Sequence, residues 1–210
     1  MNREKAMAES GPGYLRPYAR AVSRHGGGFE SLLWSSPRTQ AARFDALCRA
    51  TDMQGAKVLD AGCGRADLLL YLTARGIFPR QYVGVEAVPE LLTIARQTVE
   101  GYDGASVVNA DFVSAPGCLD AGADVAVFCG SLNTLSAFAF ELALRQAFTA
   151  ARTGVVFNFL CSPERACAAH LTWHRPGRVM SLARSMSRSV RVVDDYLDGD
   201  CTMGIFKEEP

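Results

Sequence analysis

Across residues 58–159 the chain alternates short apolar runs with stretches of helical spacing. This alternation restricts the fold more than any other feature of the sequence. Residues 58–60, 82–86, 106–109, 124–129 and 155–159 are short, rich in valine and apolar inside, which predicts strands. Between them, 65–75, 89–99 and 138–151 carry apolar residues at helical spacing, and Pro89 suits the first turn of its helix. Strands that alternate with helices and are apolar throughout belong to a parallel sheet covered on both faces. The end of the chain breaks this rule. Residues 190–196 and 202–207 predict two strands with only Leu197-Asp198-Gly199-Asp200 set between them, a gap for a hairpin and not for a crossover helix. The expected fold class is α/β: a doubly wound, mostly parallel seven-stranded sheet with a terminal antiparallel hairpin and helices on both faces.

Upstream, 14–25 reads as a helix with Pro17 in its first turn and Gly26-Gly27-Gly28 as its stop, and 1–13 as a mobile tail. Ser36-Pro37 starts a second helix over 38–52, with Ala41, Phe44, Leu47 and Cys48 at helical spacing.

The strongest local signal is Val-Leu-Asp-Ala-Gly-Cys-Gly-Arg-Ala-Asp at 58–67. Gly62 and Gly64 fall between a strand and a helix, where glycine permits a sharp turn and close approach of a ligand to the backbone. Asp60 ends the strand and faces the crevice at the strand C-termini, where open α/β sheets bind ligands. Glu86 ends the second strand, placed to accept hydrogen bonds from ribose hydroxyls. Asp111 follows the third strand, placed to take the exocyclic amine of a purine, with Phe112 beside it to pack on the base. One acid at each of three successive strand ends describes a nucleoside site. A dinucleotide fingerprint would set a glycine at position 67 and a pyrophosphate at the helix N-terminus. Asp67 stands there instead, and with Asp60 it opposes a phosphate. Such an acid-lined pocket suits a ligand with an amino group and a positive sulfur.

These residues resemble the class I S-adenosylmethionine-dependent methyltransferases. The resemblance covers about residues 38–207 and rests on Val-Leu-Asp-Ala-Gly-Cys-Gly, Tyr-Val-Gly-Val-Glu, Asn-Ala-Asp-Phe and the terminal Asp-Tyr-Leu-Asp-Gly-Asp-Cys-Thr stretch. Within that group it is similar to small bacterial enzymes of undefined substrate. Those carry Gln-x-x-Arg-Phe before the first strand (Gln40 to Phe44), Gly130 and Asn133 after the fourth, and Asn158 in the fifth. The resemblance implies that Gly62 and Gly64 approach the methionine part of S-adenosylmethionine, Glu86 binds the ribose, and Asp111 and Phe112 the adenine. Gly130 and Ser131 would border the reaction centre, and Arg43 would reach the cofactor's carboxylate. It also implies closure by the N-terminal helices, so Tyr14, Tyr18 and Trp34 are expected to form a lid, the alternative being that they simply anchor the N-terminal helix to the body; the Asn133 amide could orient a substrate. Residues 1–37 then form a tail and lid helix, and 38–210 the cofactor-binding domain. The group commonly has glycine at position 66, where this chain has alanine; alanine fits if that residue is helical.

Plainer readings stand beside these. Asp60 could cap the 65–75 helix, Arg43 could be a solvated face residue, and Cys129 an inert thiol at the end of a buried strand. Asn133 could cap a turn. Cys167, His170 and His174 would share one face of a helix ended by Pro176, but no fourth ligand accompanies them, so no metal site is expected. The arginines at 165, 175, 178, 184, 188 and 191 either steer an anion or form a solvated helix face.

The expected function is methyl transfer to a small-molecule acceptor by in-line displacement, with no catalytic residue assigned. The alternative is a non-catalytic S-adenosylmethionine-binding or regulatory protein on the same fold. Lysine plus arginine and aspartate plus glutamate both number 22, which argues against nucleic-acid or acidic-membrane partners. A monomer or homodimer is expected. Seven cysteines without a Cys-x-x-Cys pair read as free thiols in a reducing compartment. No apolar run reaches the ~18 residues of a membrane helix, and no leader pattern opens the chain, so a cytoplasmic location is expected.

Overall fold

The structure is a computed structural model that describes residues 11–207. Residues 1–10 of the expected tail lie outside the described part. Seven strands form one sheet: β1 (Lys57–Ala61), β2 (Gln81–Glu86), β3 (Ala105–Asn109), β4 (Val125–Phe128), β5 (Gly154–Leu160), β6 (Ser189–Val193) and β7 (Asp200–Phe206). Their order is β3-β2-β1-β4-β5-β7-β6. The first five strands pair in parallel, and β7 runs antiparallel to both β5 and β6.

The helices are α1 (Arg16–His25), α2 (Pro37–Ala50), α3 (Asp67–Ala74), α4 (Pro89–Val99), α5 (Ala137–Ala150) and α6 (Pro176–Met186). On one face of the sheet, Phe44 and Leu47 of α2, Leu68 and Leu72 of α3 and Ala95 of α4 pack on Val58, Tyr82 and Val127. On the other, Phe140 and Leu144 of α5 and Val179 and Ala183 of α6 pack on Phe128, Phe157 and Phe159. Burying each such large side chain is worth about 1.5–3 kcal/mol. Two buried faces explain why the strands read as continuous apolar runs.

Local chemistry sets the element ends. Ser36 caps α2 in a reciprocal capping box with Thr39, and Pro37 occupies the first turn. α1 stops at Gly26, with φ 61°. One expectation shifts: β6 ends at Val193 instead of running to 196. There the chain is drawn off the ladder, because Asp195 accepts from Arg49 at 2.7 Å and Tyr196 accepts from Thr202 at 2.9 Å.

Strand order reverses between β1 and β4, each of which leads its connection to an opposite side. That reversal opens the crevice at the strand C-termini.

Candidate active site

The crevice holds a pocket lined by the glycine turn, all three acids and the N-terminal segment. The turn is sterically committed. Gly62 has φ 75°, and a Cβ there would stand 2.5 Å from that of Ser131; Gly64 has φ 58°, and a Cβ there would stand 2.8 Å from Leu32 Cδ2. The backbone N–H groups of Gly62 and Cys63 both donate to the Val85 carbonyl, which locks the turn onto β2. Ala66 corrects the expectation for position 66. It is not helical: it precedes α3 with φ 61° and ψ 29°, in the left-handed region, and its methyl is fully buried. An L-residue pays about 1–2 kcal/mol in that conformation, so alanine is held there by packing.

Asp60 is 2% exposed and accepts a 2.6 Å hydrogen bond from the Tyr82 hydroxyl. It does not cap α3, whose N-cap is Ala66 without a side-chain bond. Burial pushes its carboxyl up to about 7, against the Tyr82 bond, which lowers it. Glu86 is equally enclosed. It accepts from the N–H of Gly64 at 2.8 Å and of Val88 at 2.7 Å, so one carboxylate braces both the glycine turn and the entry to α4. Burial raises it to about 7 despite those bonds. Asp111 accepts from Val113 N–H, from the Ser114 hydroxyl and, at 2.6 Å, from the Tyr14 hydroxyl. Phe112 packs edge-on against Phe128 and lines the pocket beside it.

Beyond β4, Gly130 donates its N–H to Asn158 Oδ1 at 2.8 Å, and Ser131 donates its hydroxyl to the Ala61 carbonyl at 2.6 Å. The segment is thereby pinned to β5 and β1. Cys129 receives Asn158 Nδ2–H at 3.3 Å, and burial pushes its thiol up to about 12, which favours the inert reading. Asn133 lines the pocket, is 6% exposed, and its Oδ1 has no partner among the described residues. It does not act as a turn cap.

Arg43 lines the pocket, yet two of its N–H groups are taken. Nε and Nη2 each donate to Asp200 at 2.7 Å, in a pair with side chains 12% and 3% exposed. The guanidinium also lies 4.8 Å from the Trp34 ring centroid. This rules out the solvated-face reading of Arg43. Thr134 and Leu32 also line the pocket and carried no sequence signal, and Asp200, part of the terminal hairpin motif, lines it with no site role expected from the sequence; Arg43 and Asp200 are 157 positions apart. Tyr14, Tyr18 and Trp34 line it from the N-terminal side.

Two further expectations change. Residues 166–175 are not helical: Trp173 makes an isolated bridge to Leu160, and Pro176 opens α6 instead of ending a helix. Cys167, His170 and His174 therefore share no helix face. Among the described residues no group of histidine, cysteine and acid could hold a metal ion. His174 stacks on Phe140, with centroids 4.1 Å apart, while His170 lines the pocket. The C-terminal arginines are dispersed as well. Arg165 faces the pocket, whereas Arg191 donates to the Ala50 carbonyl and lies over Phe206.

Residues 58–154 match the family described as "Methyltransferase domain". A Mycobacterium tuberculosis protein named as a candidate methyltransferase is 35% identical over 147 residues, covering 65% of this chain and 84% of its own length. The chain belongs to the class I S-adenosylmethionine-dependent methyltransferases. Solved methyltransferases share its fold. The magnesium protoporphyrin IX methyltransferase of Synechocystis, with bound S-adenosylhomocysteine, superposes with TM-score 0.63 at 12% identity, covering 93% of each chain. DhpI in complex with S-adenosylhomocysteine gives 0.64 at 16% identity, with both chains fully covered. This methyltransferase is an enzyme whose cofactor is S-adenosylmethionine. No helix among its described residues is long and apolar enough to cross a membrane.

Proposed function

We propose that this methyltransferase holds its cofactor across the β1–β4 crevice and transfers the methyl group to a small molecule. The observation that carries this reading is the pair of buried carboxylates, Asp60 and Glu86, on either side of a glycine cradle with no room for a Cβ. The acidic lining fits the cofactor and not a pyrophosphate. Asp60, Glu86, Asp67 and Asp111 are all acceptors, matched to ribose hydroxyls, an adenine amine and a cationic methionine end. We assign Glu86 to the ribose, Asp111 and Phe112 to the adenine, and Asp60, Gly62 and Gly64 to the methionine end. Arg43, held in place by Asp200, faces the carboxylate there with its remaining N–H groups.

The bound cofactor supplies an activated methyl group for in-line displacement. The chain contributes position and dryness. Ser131 and Gly130, tied to Ala61 and Asn158, form a rigid floor at the reaction end. Tyr14, Tyr18 and Trp34 keep water out from above. Cys129 stays protonated at neutral pH and serves no acid–base role. His170 borders the same pocket and is the imidazole placed to take a proton from an acceptor that must lose one. The roof of Tyr14, Leu15, Tyr18, Leu33 and Trp34 favours a compact acceptor over a long polymer.

Incubation with methyl-tritiated S-adenosylmethionine and a crude extract, followed by size fractionation, tests this reading. Label is expected in the small-molecule fraction. Label confined to protein or RNA would overturn the small-molecule assignment.

A further inference from the structure

The outer side of α1 carries a second cavity, bordered by Arg16, Arg20, Arg24 and His25 of the helix and by Leu33 and His170 from two other segments. Three arginines four residues apart stand on one helix face, rising about 6 Å at each step, so they span about 12 Å. Among the described residues none that borders this cavity is acidic, and residues 11–29 contain no aspartate or glutamate. Among the described residues none of the three arginines enters an ion pair. Like charges at this spacing oppose one another along a helix, and no described acid in the groove offsets them. The other side of α1 does different work, since Tyr18 lines the active-site pocket and Ala21 and Val22 are buried.

The two cavities are neighbours. Leu33 and His170 border both. Leu33, between the two, has φ 59°, a left-handed conformation unfavourable for leucine, and is 38% exposed. Strain of this kind persists where surrounding structure enforces it, and it gathers at ligand sites.

We propose that the methyl acceptor is a small oxyanion, a carboxylate or phosphate compound, whose charged group lies along Arg16, Arg20 and Arg24 and whose reacting end passes between Leu33 and His170. The proposal rests on the functional reading above and adds the class of the acceptor. Guanidinium groups suit this duty because their planar N–H pairs match the oxygens of carboxylate and phosphate.

Inorganic pyrophosphate and citrate are the probes, titrated by calorimetry into the full chain saturated with S-adenosylhomocysteine. The variant Arg16→Gln/Arg20→Gln/Arg24→Gln is compared with the parent, and Arg16→Lys/Arg20→Lys/Arg24→Lys with both. At least one probe is expected to bind the parent, more weakly at high salt. The glutamine variant should lose about tenfold or more, the scale of one charge-assisted contact. The lysine variant should recover part of that loss, and all three proteins should bind S-adenosylhomocysteine within about twofold of each other. Preference for pyrophosphate identifies a phosphate acceptor, and preference for citrate a carboxylate one. Binding of neither probe, or equal binding by parent and glutamine variant, overturns the proposal. Failure of the parent to bind S-adenosylhomocysteine would instead sink the cofactor placement, a result read separately in the same cell.

Discussion

Cofactor affinity should rise steeply with pH, because buried Asp60 must ionise to meet the cationic methionine end and buried Glu86 must ionise to accept from both ribose hydroxyls. Burial lifts Asp60 from 3.8 and Glu86 from 4.5 to about 7 each. Each unit corresponds to about 1.4 kcal/mol between the protonated and ionised forms. The folded chain alone then binds more protons than the unfolded chain above the unfolded values. These two groups therefore contribute stability at low pH that is lost as pH rises through about 7. The bound cofactor reverses the preference, its cationic end stabilising ionised Asp60 and its ribose hydroxyls donating to ionised Glu86. If one carboxylate must ionise, affinity at pH 5.5 falls about 30-fold below that at pH 8; if both must, it falls close to a thousandfold. Calorimetry with S-adenosylmethionine across this range, in buffers of different protonation enthalpy, reads both the affinity and the proton released on binding. Glu86→Gln should bind more weakly throughout and lose one carboxylate's share of the pH dependence. Affinity that is flat, or that improves on acidification, would refute the argument that ionised Asp60 faces the cationic end and ionised Glu86 the ribose.

Other consequences follow from the same geometry. Asp200→Asn breaks a buried bidentate pair and leaves Arg43 charged and enclosed, which costs about 3–5 kcal/mol. A thermal melt should fall by about 10 °C, and a loss under about 1 kcal/mol would show that Arg43 finds another partner. Ala66→Gly should be close to neutral in urea unfolding. Relief of about 1–2 kcal/mol of left-handed strain is offset by greater freedom of the unfolded chain and by about 0.8 kcal/mol of lost methyl burial. A strong gain or loss would mean one of those terms is misjudged. Gly62→Ala brings a Cβ to 2.5 Å from that of Ser131 at φ 75°, and S-adenosylhomocysteine binding should fall about tenfold or more. Unchanged binding would mean that Ser131 does not border the cofactor.

Much of this fold was legible because its signals are local. Pro89 opens α4 where a first-turn proline should, Ser36 and Pro37 start α2, and valine-rich runs mark strands buried on both sides. The acid at each strand end was visible because a turn after a parallel strand leads into the crevice. What escaped depends on contacts distant in sequence. The Arg43–Asp200 pair joins α2 to β7, and nothing in the neighbourhood of either residue announces the other. Helical spacing at Cys167, His170 and His174 was misleading because Trp173 bridges to β5 and holds 166–175 extended enough to prevent a helix. Ala66 misled for a different reason. Residue type disfavours the left-handed region, and only the packing of its methyl between α3 and the sheet shows why it is tolerated.

The most direct test of the central claim is an equilibrium titration of the parent and of Glu86→Ala with S-adenosylmethionine and, separately, NAD. The account predicts micromolar binding of S-adenosylmethionine by the parent, a loss of about tenfold or more in Glu86→Ala, and no binding of NAD by either. Equal binding of S-adenosylmethionine by both proteins, or binding of NAD by the parent, would contradict the placement of the cofactor against the carboxylate that braces the glycine turn.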